Sequence, residues 1–371
     1  MIDCTTWKVT QKANCLRFVE CSLINTARSV YNIDMNIVPI FVPHEGCRTR
    51  CTFCNEYSAT GVRKLPDKEG VLSTVKRYRG YFRNPEETEL AFYGGTFTGT
   101  GRQQVYLDVA EELVQKGLIK GIRFSTSPEQ ISEEMIAILK STSISFIELG
   151  VQSFDDDLLK DCRRNHGSRE VYEAANRLRS SGIDFGIHLM TGLPGDSEEK
   201  DIYSTKEAIR VGASSVRIHP LVVLKGSLLE YEYLHGRFAP QGLQESIEII
   251  WKMYLLILLA DVKVSRMGIC IYGEQIENVV AGPFHPAFGE LVRDRLMLEV
   301  IRRCSKDIDR HALKLDRKYK KWFTGHKRAV LERASGEGIM IDFCDDGVDI
   351  DIPFYMKLIG EEILGEAYAK T

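Results

Sequence analysis

Three cysteines stand within eight residues, at Cys47, Cys51 and Cys54, in the stretch Phe41-Val-Pro-His-Glu-Gly-Cys47-Arg-Thr-Arg-Cys51-Thr-Phe-Cys54. Their C-x3-C-x2-C spacing gathers three soft thiolates on one short loop. Such a set can hold three corners of a 4Fe–4S cube. Three ligands leave one iron without a protein donor, and an open iron can bind an exogenous chelator. With His44 the same loop offers a Cys3His set for zinc. The residues by themselves leave both readings open. The other seven of the ten cysteines carry less. Cys162, Cys270, Cys304 and Cys344 stand alone and read as small hydrophobes. Cys4, Cys15 and Cys21 are spaced too loosely to argue strongly for a second cluster.

Further along, Phe92-Tyr-Gly-Gly-Thr-Phe97 carries a glycine pair. Gly94 and Gly95 have no side chain, so backbone groups there can approach a ligand closely. Taken alone, such a pair is a tight turn. Gln152 ends an apolar run with a polar group that needs a partner. Arg164 offers a guanidinium suited to bidentate carboxylate binding, whereas Arg163 beside it reads as a solvated charge. His188 sits inside an apolar run and reads as a core or pocket-wall residue. His219, Lys225 and His285 are weak pocket candidates, and no general acid or base can be named.

The elements that must position these groups alternate. Runs at Asn36 to Val42, Glu89 to Tyr93, Gly121 to Ser125, Ser145 to Val151, Ile183 to Met190 and Ser214 to His219 read as strands. Amphipathic stretches at Gly101 to Lys116, Ser132 to Lys140, Ser168 to Ser181 and Ser197 to Val211 lie between them. The pattern predicts an α/β fold with a parallel sheet, a partial (β/α)6 TIM-like barrel. Its active site is expected at the C-terminal ends of the strands. The cysteine loop, the glycine pair and Gln152 all fall there.

Composition narrows the class. The chain has 371 residues, 44% hydrophobic and 27% charged, with a net charge of -3, an ordinary globular balance. The most apolar run, Ile247 to Ala260, contains Glu248 and Lys252 and reads as a buried helix. No secretory leader is evident, so a reducing, cytoplasmic setting is expected, with no membrane partner. Three parts are expected: an N-terminal extension at 1–35, the core barrel with closing helices at 36–292, and a small basic α+β appendage at 293–371.

These motifs, in this order over about residues 38–292, resemble the radical S-adenosylmethionine (radical SAM) superfamily. The similarity is to the short branch that is like the Elongator catalytic subunit but lacks its acetyltransferase domain. The C-x3-C-x2-C loop with Phe53 before its last cysteine carries the resemblance. So do Ile147-Glu-Leu-Gly-Val-Gln-Ser153, Arg163-Arg-Asn-His166, His188-Leu-Met-Thr-Gly-Leu-Pro-Gly195 and Val216-Arg-Ile-His-Pro-Leu221. The resemblance implies a 4Fe–4S cluster on Cys47, Cys51 and Cys54. It implies SAM held by Phe53, Gly94, Gly95, Thr96, Gln152 and Arg164. The glycine pair would take the methionine amino group, Gln152 the ribose or carboxylate, and the Gly192 to Gly195 turn would lie beside the adenine. A low-potential donor of flavodoxin or ferredoxin type would supply the electron that cleaves SAM to methionine and a 5′-deoxyadenosyl radical. Two departures stand out. Thr96 replaces a frequent serine, and Ser127 stands where the branch commonly has arginine.

The segment Arg302 to Arg333 holds twelve Lys/Arg against four Asp/Glu, in a chain that is negative overall. It interleaves Tyr319, Trp322 and Phe323 with cations, a composition that suits RNA. Gly325-His-Lys-Arg328, followed by a helical run and the strand Gly338 to Cys344, weakly resembles a KH-like unit without its second glycine. The competing reading is a solvated basic helix that buries its aromatics and pairs with the acidic tail. Glu277 to Gly289, rich in Gly and Pro, reads as a closing loop or hinge. A tRNA base is therefore the expected substrate, with DNA not expected. The alternatives are a small metabolite, as in coproporphyrinogen-oxidase-like enzymes, or a zinc-stabilised RNA-binding module without catalysis.

Overall fold

The computed structural model describes residues 36–99, 101–308, 311–345 and 350–369. Cys4, Cys15 and Cys21 lie outside them, as does the 1–35 extension. The chain divides into two compact units. Among the described residues the larger holds 36–242 and 269–284, and the smaller holds 243–268 and 285–369.

The larger unit repeats strand and helix. The strands are β1 (Asn36–Phe41), β2 (Thr88–Tyr93), β3 (Gly121–Thr126), β4 (Ile144–Gln152), β5 (Phe185–Thr191) and β6 (Ser215–Pro220). They pair in sequence order, every neighbour parallel. The helices between them are α1 (Lys68–Arg79), α2 (Gln103–Gln115), α3 (Glu133–Lys140), α4 (Ser168–Ser180) and α5 (Glu198–Arg210). All six expected strands and four expected helices form. Hydrophobic periodicity gave no sign of α1, because only Val71 and Val75 of its twelve residues are buried. Its start is set instead by Asp67, whose carboxylate accepts the Gly70 N–H at 2.9 Å.

One strand face carries the apolar core. Leu90, Phe92, Ile122, Phe124, Ile147, Leu149, Ile187 and Ile218 are all fully buried. The opposite face is polar. The guanidinium of Arg217 on β6 lies 5.7 Å from the ring centre of Tyr93 on β2, four strands away. A flat sheet could not bring those side chains together, since neighbouring strands are about 4.8 Å apart. The strands therefore curl into the half-barrel expected, with the polar face inward.

In the smaller unit, α6 (Leu243–Leu259) and α7 (Phe288–Asp307) lie with β7 (Ala312–Asp316), α8 (Ala329–Gly336), β8 (Met340–Cys344) and α9 (Ile352–Ala369). The apolar run is a buried helix: Ile250, Met253, Tyr254 and Ile257 of α6 are fully buried. Among the described residues no helix is long and apolar enough to cross a membrane. The basic segment forms β7, short turns, α8 and then β8, with β7 and β8 parallel. Tyr319 and Phe323 are buried. These two are core side chains rather than surfaces for stacked bases, which corrects the RNA expectation for them, while Trp322 is half-buried. Acidic neighbours also take several of the cations: Arg302 Nε donates to Glu337 at 2.8 Å, and Arg317 Nε lies 3.1 Å from Asp345.

Candidate cofactor site

The cysteine loop leaves β1 through a folded turn. His44 adopts φ 59°, a left-handed conformation uncommon for a non-glycine residue. Its carbonyl accepts the Cys47 N–H at 3.2 Å, and the Cys51 carbonyl accepts the Cys54 N–H at 3.1 Å. The Thr52 N–H reaches the Cys162 carbonyl at 3.1 Å, which ties the loop to the segment after β4. The short helix Glu56–Thr60 follows. It is capped by Asn55 and stopped at Gly61, whose φ is 72°. His44 Nε2 accepts the Glu56 N–H at 3.1 Å, so that lone pair is already used.

Each thiol has its own neighbour. Cys47 Sγ lies 3.4 Å from Thr96 Oγ1, Arg164 Nη1 donates to Cys51 Sγ at 3.1 Å, and Cys54 donates to Glu56 Oε1 at 3.8 Å. Burial pushes the Cys54 thiol well up, and the Glu56 carboxylate adds to this; burial raises Cys47 as well. Phe53 packs against the apolar group of Cys162, Met190, Leu193, Leu221, Val223 and Leu229.

The glycine motif closes over the loop from β2. The His44 N–H donates to the Gly94 carbonyl at 2.7 Å, and the Thr96 N–H donates to the Glu45 carbonyl at 2.8 Å. Gly94 has φ 91°. A Cβ on Gly95 would sit 2.5 Å from the Glu45 carbonyl oxygen and 2.7 Å from that of Val42. Only glycine permits this approach, because the obstructing atoms are backbone.

The third side comes from β4 and the turn after it. Gln152 has φ 71°, and its buried Oε1 has no hydrogen-bond partner. Arg164 Nη2 donates to the Gly150 carbonyl at 2.5 Å and to Ser127 Oγ at 3.2 Å. Thus Arg164 brings a guanidinium to Ser127, where the sequence lacks an arginine. His166 Nδ1 lies 3.3 Å from Glu129, which also accepts from Ser127. Burial pushes the Glu129 carboxyl up, but hydrogen bonds from His166 and Ser127 prevail and hold it at about 2. Arg163 is exposed, in agreement with its reading as a solvated charge. Ser127 and His166 stand in motifs the sequence already singled out, but their meeting with Glu129 had no sequence signal, because hydrogen bonds between separate loops leave no spacing to read.

Three thiols on one loop, each with a separate side-chain neighbour, are a donor set that suits an iron–sulfur cube, in which each cysteine takes its own iron. The close-approach cradle at Gly94 and Gly95 and the unpartnered Gln152 Oε1 suit a polar organic ligand beside it.

Other candidates fall elsewhere. Lys225 is exposed, and its carbonyl, not its amine, accepts from Asn55 and Ser58, each at 2.8 Å. His285 Nδ1 accepts the Ala287 N–H at 3.0 Å at the start of α7. His188 and His219 both project from the inward face, ring centres 4.3 Å apart.

Comparison with known proteins gives two family matches. Residues 41–205 match the radical SAM superfamily, and residues 213–297 match the Radical_SAM C-terminal domain. The tRNA uridine(34) acetyltransferase of Dehalococcoides mccartyi is 27% identical over 52% of this chain and 50% of its own length. The heme chaperone HemW of Bacillus subtilis is 27% identical over 38% of each chain. The chain thus spans about half or less of the length of these curated relatives. Among solved structures, archaeal Methanocaldococcus infernus Elp3 with an N-terminal deletion superimposes with a TM-score of 0.59 at 24% identity, over 77% of this chain and 67% of that one. At that identity the likeness concerns the fold alone.

Proposed function

With two consecutive domains of that kind matched, the chain belongs to the radical SAM superfamily, and we propose that it binds a 4Fe–4S cluster and SAM at the ends of β1, β2 and β4 to modify a tRNA base. It is a radical SAM enzyme. The carrying observation is the meeting of the cysteine loop, the glycine cradle and Arg164 on one side of the half-barrel. Cys47, Cys51 and Cys54 hold the cluster. The chemistry that cluster and SAM supply when bound is reductive cleavage to a 5′-deoxyadenosyl radical, with the electron from a flavodoxin- or ferredoxin-type donor.

The chain's own residues do the rest. Gly94 and Gly95 leave backbone groups open to the SAM amino group. Thr96 hydrogen-bonds near Cys47 and fixes that thiol's approach. Gln152 offers its unpartnered oxygen to the ribose. Arg164 places positive charge on Cys51, offsetting the anionic sulfur. Glu129 and His166 hold that guanidinium in place through Ser127. Phe53 makes an apolar wall. The tRNA reading is supported by the D. mccartyi relative, named for tRNA uridine, and by the cationic segment of the smaller unit.

Anaerobic reconstitution tests this. The expected result is a brown protein that forms 5′-deoxyadenosine from SAM and reductant. A Cys47→Ala/Cys51→Ala/Cys54→Ala variant should lose its iron. Stoichiometric zinc without SAM cleavage, or full iron in the triple variant, overturns the proposal.

A further inference from the structure

The outer face of the cysteine loop is cationic, and its cations have no counter-charge. Arg48 and Arg50 stand between Cys47 and Cys51, and both are exposed, as is Cys47. The guanidinium of Arg50 lies 5.5 Å from the ring centre of Tyr57, and that of Arg63 lies 5.6 Å from the same ring. Thr49 Oγ1 donates to the Arg163 carbonyl at 3.1 Å, which sets exposed Arg163 beside the loop. No described carboxylate lies within 4.0 Å of any of these four arginines. The basic segment of the smaller unit differs, since Glu337 and Asp345 take Arg302 and Arg317 there. An apolar ridge borders the arginines. The helix Leu228–Leu234 is tied to the loop by the Leu229 N–H, which donates to the Thr52 carbonyl at 2.9 Å. It leaves Tyr231 51% and Leu234 67% exposed. Of its carboxylates, Glu230 accepts the Gly226 N–H at 2.7 Å, and Glu232 is paired with Arg237. Hydrogen bonds from Arg237 hold the Glu232 carboxyl low, and the charge of Arg163 adds to this, which puts Arg163 on the side of that helix.

We propose that Arg48, Arg50, Arg63 and Arg163, with Tyr231 and Leu234, form the docking surface for the electron donor, a flavodoxin-type protein with acidic residues around an exposed flavin edge. The proposal rests on the reading of Cys47, Cys51 and Cys54 as cluster ligands. Place is the first argument. Arg48 and Arg50 belong to the loop that carries the thiols, so a partner seated on them lies against the cluster's outer edge. One electron then leaves the reduced flavin and enters the cluster, so the flavin is oxidised and the cluster reduced. No bond forms, and no proton has to cross. Charge is the second argument. Unpaired guanidiniums attract an acidic partner from a distance and meet its carboxylates on contact, whereas paired ones would first have to give up their partners. The third is the apolar ridge. Exposed Tyr231 and Leu234 offer contact that a protein surface or a flavin ring covers with gain, while a phosphate backbone gains nothing from it. Encounters between redox proteins need only a small interface of this mixed kind.

Two reductants test the surface: a reduced acidic flavodoxin, and photoreduced 5-deazariboflavin, which is small and uncharged. Stopped-flow reduction of the full reconstituted chain by flavodoxin should slow as salt is added. An Arg48→Gln/Arg63→Gln/Arg163→Gln variant should be reduced by flavodoxin about tenfold more slowly at low salt, with most of the salt dependence gone. Deazariboflavin should reduce both chains at the same rate. Arg163→Glu should slow flavodoxin more than Arg163→Gln does. An unchanged flavodoxin rate in the triple variant overturns the proposal; if that variant has instead lost tRNA affinity, the face belongs to RNA. Equal losses with both reductants also overturn it, since the arginines would then serve the cluster itself. So does a slowing seen with a ferredoxin but not with flavodoxin. Docking is also read without the cluster, by NMR titration of isotope-labelled flavodoxin with the iron-free full chain. The wild type should broaden or shift the flavodoxin signals, and the triple variant should bind about tenfold more weakly. If the wild type holds no cluster, the cofactor reading falls, and this titration still decides the docking surface.

Discussion

At the scale of single residues, the site is surrounded by groups whose charge state depends on burial. The turn after β5 holds a second example. Asp196 accepts the Ser197 N–H at 2.9 Å and the Leu193 N–H at 3.2 Å, and buried Asp201 lies against it. Burial pushes the Asp196 carboxyl up to about 6 despite those hydrogen bonds, and burial together with Asp196 raises Asp201 well above the usual range. A carboxyl raised in the folded state favours folding while protonated. Its contribution is complete below about pH 3.8 and is lost as pH rises through about 6. Asp201→Asn removes one charge of the pair and leaves Asp196 its backbone donors. Thermal or denaturant unfolding between pH 4 and 8 should then show a shallower loss of stability. The variant should gain on the order of 1–2 kcal/mol at pH 8 relative to wild type. An unchanged pH profile would mean the two carboxyls do not interact. Neither aspartate was singled out from the sequence, because their closeness depends on how the turn folds back on α5.

At the scale of elements, the strands were legible and the contacts made by the loops were not. The strands announced themselves because one face of each is fully apolar, as at Ile122 and Phe124 or Ile147 and Leu149. α1 was silent because little of it is buried, and short polar helices are set by caps rather than periodicity. The β2 loop depends on contacts that no spacing reveals. Gly95→Ala should force a Cβ into the Glu45 and Val42 carbonyls. Expected consequences are a loss of about 2 kcal/mol or more and weakened SAM binding, because the backbone must move. Calorimetric SAM titration beside a denaturation curve checks both. Gly101→Ala serves as the control, since its Cβ would meet nothing within 4 Å; its φ of 64° still makes it a test of strain without clash.

At the scale of the whole molecule, charge is unevenly distributed along a chain that is only slightly acidic overall. In the smaller unit the basic segment is partly self-neutralised: Arg317 faces Asp345, and Lys318 lies 3.1 Å from Asp316. Neutralising Arg317, Lys318, Lys320 and Lys321 together should therefore weaken tRNA binding less than four free cations would. The slope of log affinity against log salt should fall by about 1.5, near the share of two phosphate contacts. Binding titrations at several salt concentrations measure it. An unchanged slope would remove this segment from RNA contact. The sequence by itself determined the strands and the positions of the cysteine loop and the glycine pair at their ends, because these depend on local spacing and on alternation of apolar side chains. The tertiary structure decided what those groups face. Arg164 reaches Cys51 across 113 residues of sequence, Tyr319 and Phe323 turn inward, and Glu148, His188 and Arg217 meet on one polar wall. Such contacts depend on the curl of the sheet and the folding back of loops, and these bring together side chains that are far apart in the chain.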